Sequence, residues 1–202
     1  MSPLFDRLAD LFERGHRTPA NGLLSDDRFI KDSPTADAAV LIAVTDRDRP
    51  GVLLTQRPND MRDHPGQVAF PGGKVDEGED AVTAALREAE EEIALARHHV
   101  QVIGTTDRYQ TGTGFDITPV LGVVPPDLDL TPNPTEVEDW FEAPLDLLLK
   151  PENWTEHEVI WRGHPRKYLE MHYSGFRIWG VTAAIIFNLS QRITYEGLFG
   201  EG

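Results

Sequence analysis

The stretch DAVTAALREAEEEIAL, residues 80–95, constrains the fold more than any other part of this chain. Val82, Ala85, Leu86, Ala89 and Ile93 recur at the spacing of one buried helix face. Asp80 supplies an N-cap acceptor and Gly78 closes the preceding loop, so the pattern predicts a helix over 80–94. The same helix must carry Glu88, Glu90, Glu91 and Glu92. At about 100° per residue, Glu88 and Glu92 lie ~40° apart, with Glu91 ~60° from Glu88 on the same side. These three are expected to form a carboxylate cluster away from the apolar stripe, while Glu90 points elsewhere into solvent.

Such crowding has an energetic consequence. Like charges at i and i+4 destabilise a helix by a few tenths of a kcal/mol. The chain already has a formal net charge of −15, from 19 Lys+Arg against 34 Asp+Glu. Two readings stand at this point. Either the acids form a solvated face, or they hold a hard divalent cation such as Mg²⁺, which favours carboxylate oxygens. The preceding Pro71-Gly72-Gly73 can bring bare backbone close to the acids, and a carbonyl there can complete a metal shell. Arg87 is placed to brace a carboxylate with its planar fork.

The acidic balance argues against binding nucleic acid or anionic lipid; an anionic substrate would need local neutralisation, which a divalent cation provides. The absence of cysteine excludes disulfides, thiolate metal sites and a Cys nucleophile, and fits a reducing, cytoplasmic setting. No apolar run approaches the ~20 residues needed to cross a bilayer. The N-terminal stretch mixes charged with apolar residues, unlike a signal peptide.

Elsewhere, Leu4, Phe5, Leu8, Leu11 and Phe12 predict an amphipathic N-terminal helix, followed by a polar arm over 16–37. Residues 38–44 and 51–57 read as strands joined by a polar turn, and 66–70 as a short strand ending at Pro71. HVQVIGT, FDITPVLGVV, WFEA, HEVIWR, KYLEMHY and FRIWG read as further strands. PLDLLLK reads as a short helix, and VTAAIIFNLSQRI as a final buried one. Mixed strands and helices predict an α/β (α+β) arrangement, a mixed sheet between helices.

The spacing Gly73, five residues, Glu79, seven residues, then Arg87-Glu88-Ala89-Glu90-Glu91-Glu92-Ile93-Ala94-Leu95 resembles the Nudix box, the loop–helix–loop signature of the Nudix hydrolases. Ala94 stands where that family usually has glycine; it closes the helix, so the exchange affects a turn and removes no ligand. The resemblance implies the Nudix fold and cleavage of a nucleoside diphosphate linked to another moiety. It implies Mg²⁺ or Mn²⁺ held by Glu88, Glu91 and Glu92 with the Gly73 carbonyl, Arg87 orienting the glutamates and Glu79 in support. Glu88, Glu91 and Arg87 are then the catalytic residues. Glu136 and Glu138, on a later loop, are candidates for a base or an extra ligand, against a reading as ordinary surface acids.

Residues 53–73 resemble the additional signature LLTxRxxxxRxHxGQVxFPGG of the coenzyme A diphosphatase (CoA pyrophosphatase) branch, with Met61 where leucine is common. Arg57, Arg62, His64 and Lys74 place cationic groups near the acids of the box, and an Arg fork suits phosphate oxygens. Arg57, Arg62, His64, Gln67 and Lys74 are therefore the expected substrate-binding residues. Their alternatives are surface pairs with Asp60 or Asp63 for the arginines, and loop-ordering or strand-edge roles for His64 and Gln67. Phe70 is expected in the core, and Trp179 either in the core or stacked on adenine.

Together these features imply one Nudix domain over 1–202, with residues 1–37 as its N-terminal extension. The implied reaction is hydrolysis of coenzyme A and acyl-CoA to (acyl-)4′-phosphopantetheine and adenosine 3′,5′-bisphosphate. The alternatives are a Nudix hydrolase of ADP-ribose, dinucleotides or other nucleoside diphosphate derivatives, and a non-catalytic Nudix-fold nucleotide-binding regulator. The partner expected is a small molecule, without nucleic acid or membrane. The family's frequent homodimers make a homodimer the oligomer to test for.

Overall fold

A computed structural model describes residues 2–26, 36–60, 64–161 and 163–200. The central strand β1 (Ala36–Thr45) runs parallel to β7 (Phe115–Val124) in continuous register from Ala36↔Phe115 to Thr45↔Val124. On its other side β1 meets β2 (Gly51–Gln56) at Val44↔Val52, and the two strands then diverge. The gap is filled by β3 (Val68–Ala69), paired with the end of β2, and β4 (Gly72–Lys74), paired with Ala38–Val40 of β1. The Pro71-Gly72 step thus crosses between the splayed strands. A Cβ on Gly72 would collide with the backbone of Ala39 and Val40, which explains the glycine.

β5 (Gln101–Thr105) and β6 (Tyr109–Gln110) pair with β7, and β8 (Asp139–Pro144) flanks β2. A second sheet of β9 (Thr155–Trp161), β10 (His164–Tyr173) and β11 (Phe176–Trp179) forms two antiparallel hairpins.

Helices cover both faces of the large sheet, as the mixture of elements predicts. Ala39, Leu41 and Ala43 of β1 face α2 (Ala81–Ile93), whereas Ile42 and Val44 face α1 (Pro3–His16) and α4 (Gly180–Ser190). This alternation is the period-two pattern of a strand buried on both sides. Ser2 caps α1 by accepting from the Phe5 N–H at 3.2 Å, and Leu8 is fully buried. The short α3 (Leu145–Leu148) follows β8 where PLDLLLK predicts it, and α4 buries most of its residues. A last turn, α5 (Tyr195–Phe199), lies beyond the final helix read from the sequence. No helix among the described residues is long and apolar enough to cross a membrane.

Two details differ from the sequence reading. The strand expected over 66–70 shrinks to Val68–Ala69, because Gly66 adopts a left-handed φ of 64°. On α2, Ala84, Ala85, Ala89, Glu92 and Ile93 are fully buried, while Val82 and Leu86 are half-buried. The acidic cluster is therefore not remote from the buried face; Glu92 belongs to it.

Candidate metal centre and active site

The site is built where α2 lies against the β3–β4 crossing. Asp80 Oδ1 accepts from the Thr83 N–H at 2.7 Å, fixing where the helix begins. About two turns later Arg87 locks the helix to the preceding loop. Its Nε and Nη2 donate to the two oxygens of Glu79, each at 3.0 Å, and Nη2 also donates to the Lys74 carbonyl. Its Nη1 donates to Glu88 at 2.8 Å and to Glu91 at 3.2 Å. This forked grip holds the Glu79 carboxyl below the usual carboxylate range and keeps Arg87 firmly cationic.

Glu88, Glu92 and Glu136 converge, each with an oxygen within 4.8 Å of the others. Glu92 is only 6% exposed. Its Oε2 accepts from the Gly72 N–H at 3.3 Å. Burial pushes its pKa up to about 8; the Gly72 hydrogen bond and Arg57 oppose the rise, and Glu88 and Glu136 add to it. Burial also raises Glu88, against the pull of Arg87. A Cβ on Gly73 would strike the Glu88 carboxylate, so the glycine lets backbone and carboxylate meet. Three carboxylates this close repel one another unless protons or a cation intervene. Oxygen-only donors of this kind suit a hard divalent ion, and the cluster can coordinate one.

Glu136 reaches the cluster because its loop is fastened to the end of α2. The Thr131 N–H donates to the Ile93 carbonyl at 3.1 Å, and the Asn133 N–H to the Glu92 carbonyl at 2.8 Å. Asn133 Oδ1 then accepts from the backbone N–H and hydroxyl of Thr135, closing an Asx turn. The sequence singles out Glu136 but gives no sign of this tether; Asn133-Pro134-Thr135 is legible as a turn and nothing more.

The other candidate residues divide. Glu91 is 55% exposed, rests on Arg87 and is not among the three converging acids. Glu138 accepts from Asn59 Nδ2 at 2.8 Å, outside the cluster. Arg57 pairs through its backbone N–H with the Gln67 carbonyl at 3.0 Å, and its buried Nε lacks a hydrogen-bond partner. The Gln67 amide nitrogen lies 3.9 Å from where a Cβ on Gly180, the first residue of α4, would sit. Lys74 is exposed, its Nζ 5.8 Å from the Phe115 ring centre, and His64 is exposed at a left-handed φ of 54°. Arg62 lies outside the described residues. Phe70 is in the core, and half-buried Trp179 carries the Arg177 guanidinium 4.5 Å above its ring.

Comparison with known proteins agrees with this geometry. The NUDIX domain family matches residues 35–162. The protein named uncharacterized Nudix hydrolase NudL of Enterobacter sp. (strain 638) is 43% identical over 157 residues, covering 77% of this chain and 82% of that protein. The NudL of Escherichia coli (strain K12) gives the same identity and coverage. Among solved structures, the Nudix hydrolase RenU of M. smegmatis superposes with a TM-score of 0.50 at 22% identity, over 63% of this chain and 81% of that one, a likeness of fold. With the family match spanning well over half its length, this chain belongs to the Nudix hydrolase superfamily.

Proposed function

We propose that this protein hydrolyses the pyrophosphate bond of a nucleoside diphosphate linked to another moiety, with coenzyme A and acyl-CoA as substrates. The observation that carries the reaction class is the convergence of Glu88, Glu92 and Glu136 against the Gly72-Gly73 backbone. The coenzyme A assignment rests on the signature of residues 53–73. One of its residues, Arg57, acts electrostatically on Glu92 of this cluster, and its backbone N–H pairs with Gln67 of the same signature.

In this reading Glu88, Glu92, Glu136 and the Gly73 carbonyl hold Mg²⁺ or Mn²⁺. Bound there, such an ion neutralises phosphate charge and renders water acidic enough to attack at neutral pH. Arg87 positions Glu88 and Glu91 through one guanidinium. Glu91, gripped through a single oxygen, completes the ligand set or takes the proton of the attacking water. Arg57 offers its guanidinium to the phosphates, and Arg62, His64 and Lys74 supply further contacts to them. Gln67 contacts the nucleotide. The whole chain acts as one domain, because α1 shares a core with α4 and the sheet.

A substrate panel with and without Mg²⁺, with products resolved by mass, tests this. Coenzyme A should yield 4′-phosphopantetheine and adenosine 3′,5′-bisphosphate, and turnover should fall at least about a hundredfold in Glu92→Gln. Faster cleavage of ADP-ribose or a dinucleotide than of coenzyme A would reject the substrate assignment. Near-normal activity of Glu92→Gln would reject the site.

A further inference from the structure

On the α2 side of the large sheet, a cavity of about 380 Å³ opens beside β8. Its apolar wall comprises Leu53, Leu128, Leu130 and Trp140, all part of the core beneath α2 or packed against it. Its rim is polar and mostly acidic. Arg47 pairs with Asp127 at 3.4 Å and with Glu142 at 3.1 Å, and Glu142 accepts from the Thr45 hydroxyl at 2.5 Å. Asp129 adds a third carboxylate against the single guanidinium. A rim of that sign repels phosphate, while the wall offers apolar side chains in a cavity of a size usual for small-molecule sites.

Two stretches of chain link the cavity to the carboxylate cluster. In β2 and β8, Trp140 lies opposite Thr55 and Glu142 opposite Leu53. Side chains alternate along a strand, so Leu53 and Thr55 share one face of β2, which continues at the next residue but one as Arg57. On the second stretch, Glu136 precedes Trp140 by four residues, which limits their Cα separation to about 14 Å. The loop that carries Glu136 into the cluster is the same one that lines the cavity at Asp127–Leu130. None of Arg57, His64, Gln67 or Lys74 lines it.

We infer that this cavity receives the uncharged half of the substrate, a flexible aliphatic chain bearing amide groups, which the pyrophosphate joins to the phosphorylated nucleoside. The inference rests on the coenzyme A reading given above. Charge sorts the two ends. Phosphates are drawn to the cations beside β3 and β4 and driven from the acidic rim, while the neutral chain lies along Trp140 and the leucines. Amide N–H groups of the chain meet carboxylate acceptors at the rim, so its polar atoms are not left unpaired.

Calorimetric titration with pantetheine, which has this chain and no phosphate, tests the inference without turnover. The wild type should bind it, and both Trp140→Ala and Leu128→Arg should bind about tenfold more weakly or worse. Leu128 sits half-buried on a loop, so its variant keeps the test sound if loss of Trp140 disturbs folding. In parallel, KM for coenzyme A should rise in both variants with kcat within about twofold of wild type, and inhibition by adenosine 3′,5′-bisphosphate should be unchanged. No binding of pantetheine by the wild type, or equal binding by the variants, overturns the inference. A wild type that binds pantetheine in this cavity yet leaves coenzyme A intact would overturn the substrate assignment alone.

Discussion

At the residue scale, Glu92 is the carboxylate whose ionisation burial opposes most strongly. It lies on the face of α2 shared with Ala89 and Ile93, one turn beyond Glu88, and is buried with a single backbone N–H as hydrogen-bond partner. Without metal, the fold holds a proton on it that the unfolded chain would release. Its folded pKa of about 8 exceeds the ordinary value of 4.5, so the folded state binds more protons between those limits. Stability from this group is fully present below about pH 4.5 and is lost as pH rises through about 8. Urea unfolding in chelator should therefore show the stability falling from pH 5 to pH 8.5, by an amount on the order of a few kcal/mol. Glu92→Gln should flatten that slope, and saturating Mg²⁺ should reverse it, because deprotonation then favours metal binding. A wild-type profile as flat as that of the variant would show that Glu92 is not desolvated. Glu88 and Glu92 were legible in the sequence from their spacing; Glu91, expected beside them, is not among the converging acids, and Glu136 was a candidate only through the family resemblance. The burial of Glu92 was not, since helical periodicity places a residue to within a face and not on one side of its boundary.

Among the elements, α2 shows how a local departure from the family pattern is accommodated. Ala94 closes the helix at φ 55°, in the left-handed region, where its N–H donates to the Ala89 and Glu90 carbonyls. Glycine carries no penalty there, whereas a Cβ costs about 1 kcal/mol. Ala94→Gly should stabilise the protein by roughly that amount in urea unfolding, with activity unchanged; a destabilised variant would contradict the strained cap. Helix α2 was legible because its cap, period and closing residue agree. Strand β4 was not, and β3 was read as 66–70 where only two residues pair, because two or three residues carry no periodicity. They exist only through pairing with the splayed ends of β2 and β1. The fastening of the Glu136 loop to α2 was hidden for a related reason: it uses backbone groups, which every sequence possesses.

For the whole molecule, the sandwich of helices about a mixed sheet followed from the order of elements, while the separate three-stranded sheet did not. Strand patterns announce strands and leave their partners unspecified. Helix α1 packs on the core of the sheet. Leu8 is fully buried in the cluster that contains Ile42, Leu121, Leu189 and Ile193. Leu8→Ala should cost about 2–5 kcal/mol in a single unfolding transition. A cost below about 0.5 kcal/mol, or a separate early transition, would make residues 3–16 an independent appendage. The molecule as a whole thus presses an acidic helix against a glycine turn and braces it from one side with Arg87 and from the other with the Glu136 loop.

The most direct measurement is a crystal structure with Mn²⁺, using anomalous scattering to place the ion. The account predicts a Mn²⁺ peak bounded by the carboxylates of Glu88, Glu92 and Glu136 beside Gly73, lost in Glu92→Gln. A Mn²⁺-saturated crystal with no peak among these three carboxylates, or with the ion held elsewhere, would contradict it.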